Sequence, residues 1–365
     1  MRAVYAQLDA RTINERLTDR RVPLVQLLLP NGHYASGGRS WRAGTLGDDE
    51  GSALCVRLDG TQCGRWKDYK SGAGGDLLDL VAAVLFHGNL REAFKWALGW
   101  LGLGQVDARE AERLKQAAET ARDKRRLQAE REALHNAQDA KRIYLAGAPL
   151  TPGDPGWCYL AEHRLIDLSA LPVPLRGLRV HAALYNRESR REWPALLAPI
   201  SAPDGRHINT HCIFLAKLRD GSFGKAPLDR PKLSMAGGYT GGCVRLWRGA
   251  SGKAWAGMPD NETVLAGEGI EDVMTITCAR PEWRSIAVLS VSSLAGLVLP
   301  PQVTRLIWVA QNDPPGSPAA NTLARALREH SARGLAIATI RPPPCAKDVN
   351  EFAQQLAEQD DAGTS

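Results

Sequence analysis

The stretch from Glu262 to Phe352 constrains the fold most. Apolar runs and helix-forming runs alternate along it. Thr263–Val264–Leu265–Ala266 leads to a helical run from Ile270 to Cys278, then to SIAVLSV. Leu306–Ile307–Trp308–Val309–Ala310 leads to the helical SPAANTLARALREHSARG, then to AIATIRP and a last helical segment. Strand and helix alternating at this spacing predict a parallel sheet with right-handed crossovers. Two of the apolar runs end on an acid: Glu268, inside Gly267–Glu268–Gly269, and Asp313, inside Gln311–Asn312–Asp313. Ligands of open α/β sheets bind at the carboxyl ends of the strands. The two acids therefore stand where a hard cation such as Mg2+, which takes oxygen ligands and keeps waters, would be held. Taken singly, each acid is better accounted for by local structure, Glu268 as a helix cap and Asp313 as the start of a turn; the pair is more specific than either member. The small residues from Ser290 to Gly296 face the same edge and either leave room for a ligand or form a turn.

Three segments here resemble one known family. VLAGEGIEDVMTI is similar to the first motif of Toprim domains, an apolar strand, Glu-Gly and then an Asp one helical turn on. LIWVAQNDPPGSPAA is similar to the second, a strand ending in Asp-x-Asp. RPPPCAKDVNEF resembles the late Lys-Asp-x-Asn-Asp segment of phage and plasmid primase-like Toprim proteins. The resemblance implies that Glu268 is a metal ligand or general base and Asp313 a metal ligand. It makes Asp272 a supporting carboxylate, Asp348 the completion of the acidic cluster and Lys347 a nucleotide contact. The implied cofactor is Mg2+ or Mn2+. Gln311 departs from the pattern, since the family carries an Asp there. A neutral Gln offers a metal only its carbonyl oxygen, which implies a weaker second-metal position.

The segment 147–260 reads as mostly antiparallel β structure, with Gly and Pro between short apolar pieces. Asp204–Gly205 marks a hairpin turn. It resembles the region before the Toprim core in the same proteins, at Leu178–Arg179–Val180–His181, Pro203–Asp204–Gly205, Gly224–Lys225–Ala226, Pro231–Lys232 and Gly241 to Leu246. By that resemblance Lys225, Lys232 and Arg245 supply charge to a nucleotide and template groove; a triphosphate on a metal needs fixed cations. Each is otherwise an ordinary surface cation. His211 alternates with apolar residues and reads as a structural histidine rather than a base.

Near the N-terminus, GRWKDYKSGAGGDLLDLV resembles the closing half of the zinc-binding domain of primases, with Asp76 as the cap of a helix. His33, Cys55 and Cys63 do not have the spacing of a zinc site, so no zinc is expected. Arg39, Trp41, Arg42, Arg65, Trp66, Lys67 and Lys70 interleave aromatic and basic side chains, as single-stranded nucleic-acid binding requires. A small-domain core with a solvated basic rim produces the same pattern. Residues 106–145 lack Gly and Pro and predict one long charged helix, a spacer whose Lys124–Arg125–Arg126 either contacts phosphate or is a solvated face.

The expected organisation is an α+β N-terminal domain at 1–104, a helical linker at 105–146 and a mostly β middle region at 147–260. An α/β Toprim domain with a central parallel sheet follows at 261–355, then a disordered tail at 356–365. A length of 365 residues suits several domains. A net charge of +6 is compatible with a nucleic-acid partner. Seven cysteines without a CxxC pair read as reduced thiols, and the absence of an apolar run or leader reads as cytoplasmic, with no membrane partner.

The leading functional expectation is a primase-like Toprim protein of a mobile element. It would act on single-stranded DNA with nucleoside triphosphates by metal-dependent nucleotidyl transfer. No GxxxxGK(S/T) loop is present, so no fused helicase is expected, and a separate replicative helicase remains as a partner. The alternatives are a Toprim nuclease or nickase using the same acids, and a non-catalytic nucleic-acid-binding regulator with a decayed site.

Overall fold

The computed structural model describes residues 8–47, 49–104 and 107–363. The chain divides into two units, residues 1–132 and 133–365.

In the first unit, α1 (Ala10–Asp19) and α2 (Arg21–Leu28) precede five short strands, β1 (His33–Ala35), β2 (Ser40–Ala43), β3 (Leu54–Arg57), β4 (Trp66–Asp68) and β5 (Gly74–Gly75). These pair antiparallel in chain order and lead into α3 (Leu77–Leu85) and α4 (Leu90–Trp100). The α3 start has a mechanism. Asp76 accepts from the Leu78 and Asp79 N–H groups at 3.0 Å, and Asp79 accepts from the Asp76 N–H at 2.9 Å, a reciprocal capping box.

Helix α5 (Ala108–Ala146) is the continuous helix that its composition predicts; residues 105 and 106, at the start of the expected linker, lie outside the described residues. It is not a bare spacer. Leu114 packs on the core of the first unit, and Ile143 and Tyr144 pack on a core of the second.

The second unit continues with β6 (Ala148–Pro149), α6 (Pro155–Trp157) and a π-helical turn at Cys158–His163. Then come β7 (Arg179–Asn186), β8 (Arg191–Ser201), β9 (His207–Lys217), β10 (Phe223–Lys225), β11 (Lys232–Ser234) and β12 (Cys243–Arg248). This part is mostly antiparallel β, and the β8–β9 hairpin turns through Gly205 at φ +89°. The C-terminal part alternates: β13 (Glu262–Gly267), α7 (Ile270–Ala279), β14 (Arg284–Ala287), α8 (Val291–Leu294), β15 (Val303–Val309), α9 (Pro318–Ala332), β16 (Ala336–Ile340) and α10 (Val349–Gly363). Its strands are parallel in the order β14-β13-β15-β16, and β12 joins β14 antiparallel. The middle region and the C-terminal part thus share one sheet, where the sequence suggested two blocks.

The apolar runs are continuous because both faces of this sheet are covered. Along β15, Leu306 and Trp308 enter one core while Ile307 and Val309 enter the other. Gly267 ends β13 where a Cβ would stand 2.7 Å from Val273 Cγ2, so only glycine lets α7 turn back this tightly. The expected disordered tail from 356 is corrected: α10 runs to Gly363, through the helix formers Leu356, Ala357, Glu358 and Gln359. Among the described residues no helix is long and apolar enough to cross a membrane.

Candidate functional site

Strands β13 and β15 are neighbours with Gly267 opposite Val309, so the residues that follow them, Glu268 and Gln311–Asn312–Asp313, emerge at one sheet edge. Glu268 does not cap α7; the cap position is Gly269, which has no side chain to offer. Burial first, and then the charge of Asp313, push the Glu268 carboxyl above its usual range, while Lys232 and Lys347 pull the other way. The two acids are thus electrically coupled. Asn312 is structural: its side-chain amide donates to the Pro343 and Ala346 carbonyls at 2.9 and 2.8 Å and anchors the last loop.

Asp272 lies in the first turn of α7 and is buried. Its Oδ1 accepts the Asn350 backbone N–H at 3.1 Å, and its Oδ2 accepts the Gln311 amide at 3.4 Å. Burial, followed by the neighbouring Asp348, raises its carboxyl to about 6. Asp348 also caps α10, accepting from the Glu351 N–H at 2.8 Å.

The facing wall is cationic. Strands β10 and β11 both pair with β9 and bring Lys225 and Lys232 together. Between them lies Glu271, which the sequence reading passed over. Its carboxylate pairs with Lys232 Nζ at 2.7 and 2.9 Å, lies 3.9 Å from Lys225 Nζ, and accepts from the Tyr159 hydroxyl at 2.5 Å. Arg164 Nε donates to the same hydroxyl at 3.2 Å. Burial alone would raise the Glu271 carboxyl, but Lys232 and then Lys225 hold it far below the carboxylate range. Burial, and next Lys232, lower Lys225 to about 8. Burial likewise lowers His211 to about 4, so it is neutral at physiological pH and suits a structural role.

A pocket of about 340 Å³ opens between the walls. Its lining includes Glu268, Asp272, Gln311 and Asp348 together with Arg164, Lys225, Lys232 and Glu271. Asp313 and Lys347 stand beside it through their coupling to Glu268. Arg245 does not join them. It lines a different pocket with Arg176 and Arg248, stacks over Trp255 at 4.9 Å, and donates to the Ala202 and Pro203 carbonyls at 2.9 Å. Its expected place in the nucleotide groove is corrected, because its guanidinium is held by the Ala202 and Pro203 carbonyls and the Trp255 ring at a separate pocket.

Among the described residues no three His, Cys, Asp or Glu side chains are grouped to hold a metal ion by themselves. The donors present fit a hard cation that takes one or two carboxylates and completes its shell with water and phosphate oxygens. Glu268 and Asp313 are the two strand-end carboxylates at this sheet edge. Both Asp272 oxygens are already engaged by N–H donors.

In the first unit Arg65 and Lys67 are exposed, but Trp66 is 6% exposed and Trp41 is 5% exposed. Both indoles belong to the core, and Trp41 Nε1 donates to the Leu29 carbonyl at 3.1 Å. Trp66 is therefore corrected as a stacking residue, since its face is covered. Tyr69, like Tyr34, is an exposed aromatic, with Lys67 and Arg42 6.0 and 5.8 Å from its ring centre.

Residues 263–358 match the Toprim domain family, and residues 135–246 match a domain of unknown function, DUF7146. No curated protein matches the sequence. Several solved primase structures are similar. The primase fragment of the bacteriophage T7 primase-helicase protein is 14% identical, with TM-score 0.31, over 58% of this chain and 81% of that one. The E. coli primase catalytic core is 15% identical, with TM-score 0.31, over 63% and 69%. A DNA primase domain from Pseudomonas aeruginosa is 15% identical, with TM-score 0.30, over 47% and 52%.

Proposed function

Because residues 263–358 form a Toprim domain, we propose that this chain is a primase-like nucleotidyltransferase acting on single-stranded DNA. The observation that carries the reading is that one pocket is lined both by the carboxyls of Glu268, Asp272 and Asp348 and by the cations Arg164, Lys225 and Lys232. A nucleoside triphosphate with its metal presents the matching charges, anionic oxygens on one side and a cation on the other. Glu268 and Asp313 would hold Mg2+ or Mn2+, which supplies charge neutralisation along the triphosphate and lowers the barrier at the attacking hydroxyl. Arg164, Lys225 and Lys232 bind the phosphate oxygens. Glu268, raised by burial and Asp313, takes part in the proton balance of the attacking hydroxyl. Exposed Arg65, Lys67 and Tyr69 contact the template strand by charge and stacking. The place of such a protein is primer synthesis for a mobile element, beside a separate replicative helicase.

The test is primer synthesis on a single-stranded template with Mg2+ or Mn2+ and ribonucleotides. Labelled oligomers are the expected product, and Glu268→Ala abolishes them. Template cutting in their place would turn the reading to a nuclease. A second reading has its own observation: Gln311 donates to Asp272 at 3.4 Å where an acid would add a ligand. It predicts template binding without turnover.

A further inference from the structure

We propose that Glu271 is a positioning residue for triphosphate recognition: its carboxylate sets Lys225 and Lys232 side by side on one pocket wall and offsets their mutual repulsion. The inference rests on the pocket being a nucleotide site and names how that site is held ready.

The geometry is that of a fixed anchor. Glu271 is 5% exposed and lies in the first turn of α7, where the helix dipole favours an anion. Tyr159 donates to it at 2.5 Å and is itself braced by Arg164 Nε at 3.2 Å. Both lysines reach it, at 2.7 Å for Lys232 and 3.9 Å for Lys225. The lysines keep about a third of their surface open, at 32% for Lys225 and 35% for Lys232, so each ammonium has donors left for a ligand. Each has three.

The groups facing Lys225 are Glu271 from α7, Lys232 from β11, and His163 and Arg164 from the π-helical turn and its end. Lys232 and Arg164 are cations, and Glu271 is the counter-charge among the four. Without it, two ammonium groups and a guanidinium would crowd one half-buried wall. The lysines would splay towards water, or Lys225 would shed its proton. Either outcome removes a phosphate contact. The contrary arrangement is that Glu271 occupies the place of a phosphate group and must be displaced. That predicts tighter binding when the charge is removed, so the two ideas differ in sign.

The experiment is calorimetric titration of the full chain with ATP in excess EDTA, from neutral pH to about pH 10, where Lys side chains titrate. For the wild type, affinity falls as pH rises through about 8. Lys225→Met removes that step. Glu271→Gln binds ATP about tenfold more weakly near pH 8, and its fall begins about one unit lower, one pKa unit being tenfold in binding. If Glu271→Gln does not fold, Tyr159→Phe carries the test. It frees the carboxylate without deleting it, so affinity drops while the step stays near pH 8. Unchanged or tighter ATP binding by Glu271→Gln, or by Tyr159→Phe in its place, overturns the role of Glu271 alone. A wild type that binds no ATP overturns the nucleotide reading with it.

Discussion

The Gln311 side-chain amide donates to Asp272 Oδ2 at 3.4 Å, so two adjoining elements of the sheet edge meet through a neutral donor and an acid. Asp348 already presses on Asp272. A third acid at 311 would add repulsion and remove a donor. Gln311→Asp is therefore expected to destabilise the metal-free protein by about 1–3 kcal/mol, the cost of leaving a buried acceptor unpaired. It should also gain Mn2+ affinity. Denaturation with and without Mn2+ checks both: the deficit shrinks as Mn2+ is added.

Asp272 also links stability to pH. Its folded carboxyl is raised to about 6 from an ordinary 3.8, so the folded state binds the proton more tightly than the unfolded state. The ionised form costs stability in full above about pH 6, and the cost disappears as pH falls towards 3.8. Asp272→Asn should be more stable than wild type above pH 6 and should lose that advantage on acidification. Parallel urea curves across this window measure the difference.

Trp66 and Tyr69 should separate cleanly. Trp66 is core, so Trp66→Ala should cost about 3–5 kcal/mol of stability. Tyr69 is 55% exposed. Tyr69→Ala should leave the melting temperature within a degree or so and weaken single-stranded DNA binding by about 1–3 kcal/mol, the worth of one stacked base. Fluorescence anisotropy with a labelled oligonucleotide, paired with a thermal melt, reads both.

Gly267→Ala should destabilise by about 1–3 kcal/mol through overpacking, because its Cβ would fall 2.7 Å from Val273 Cγ2 and 3.2 Å from Val309 Cβ. Chemical denaturation measures it.

How much could be read from the chain depended on range. The parallel sheet was readable because continuous apolar strands alternate with helical runs along the chain. Glu268, Asp272 and Asp348 were readable as pocket residues because each lies at a strand end or helix start. Glu271 had a local signal that went unused: it is an acid in the first turn of α7, where the helix dipole favours an anion. Tyr159 and Arg164 had none, since they reach Glu271 from more than a hundred positions away. Trp66 was misread although the phase was available. Strand β4 alternates, with Trp66 and Asp68 buried and Lys67 exposed. The outward face therefore carries Arg65, Lys67 and Tyr69 rather than the indole. Arg245 was grouped with the lysines by the family resemblance, whereas its contacts with the Ala202 and Pro203 carbonyls and Trp255 hold it at a different pocket.

The account depends on Glu268 and Asp313 sharing one cation opposite Lys225 and Lys232. Anomalous diffraction from crystals of the full chain with Mn2+ and a non-hydrolysable nucleoside triphosphate tests this directly. The account predicts a manganese peak within about 2.0–2.4 Å of carboxylate oxygens from both acids, with phosphate oxygens against the two lysines. A peak bound elsewhere, or a nucleotide whose phosphates avoid both lysines, would contradict it.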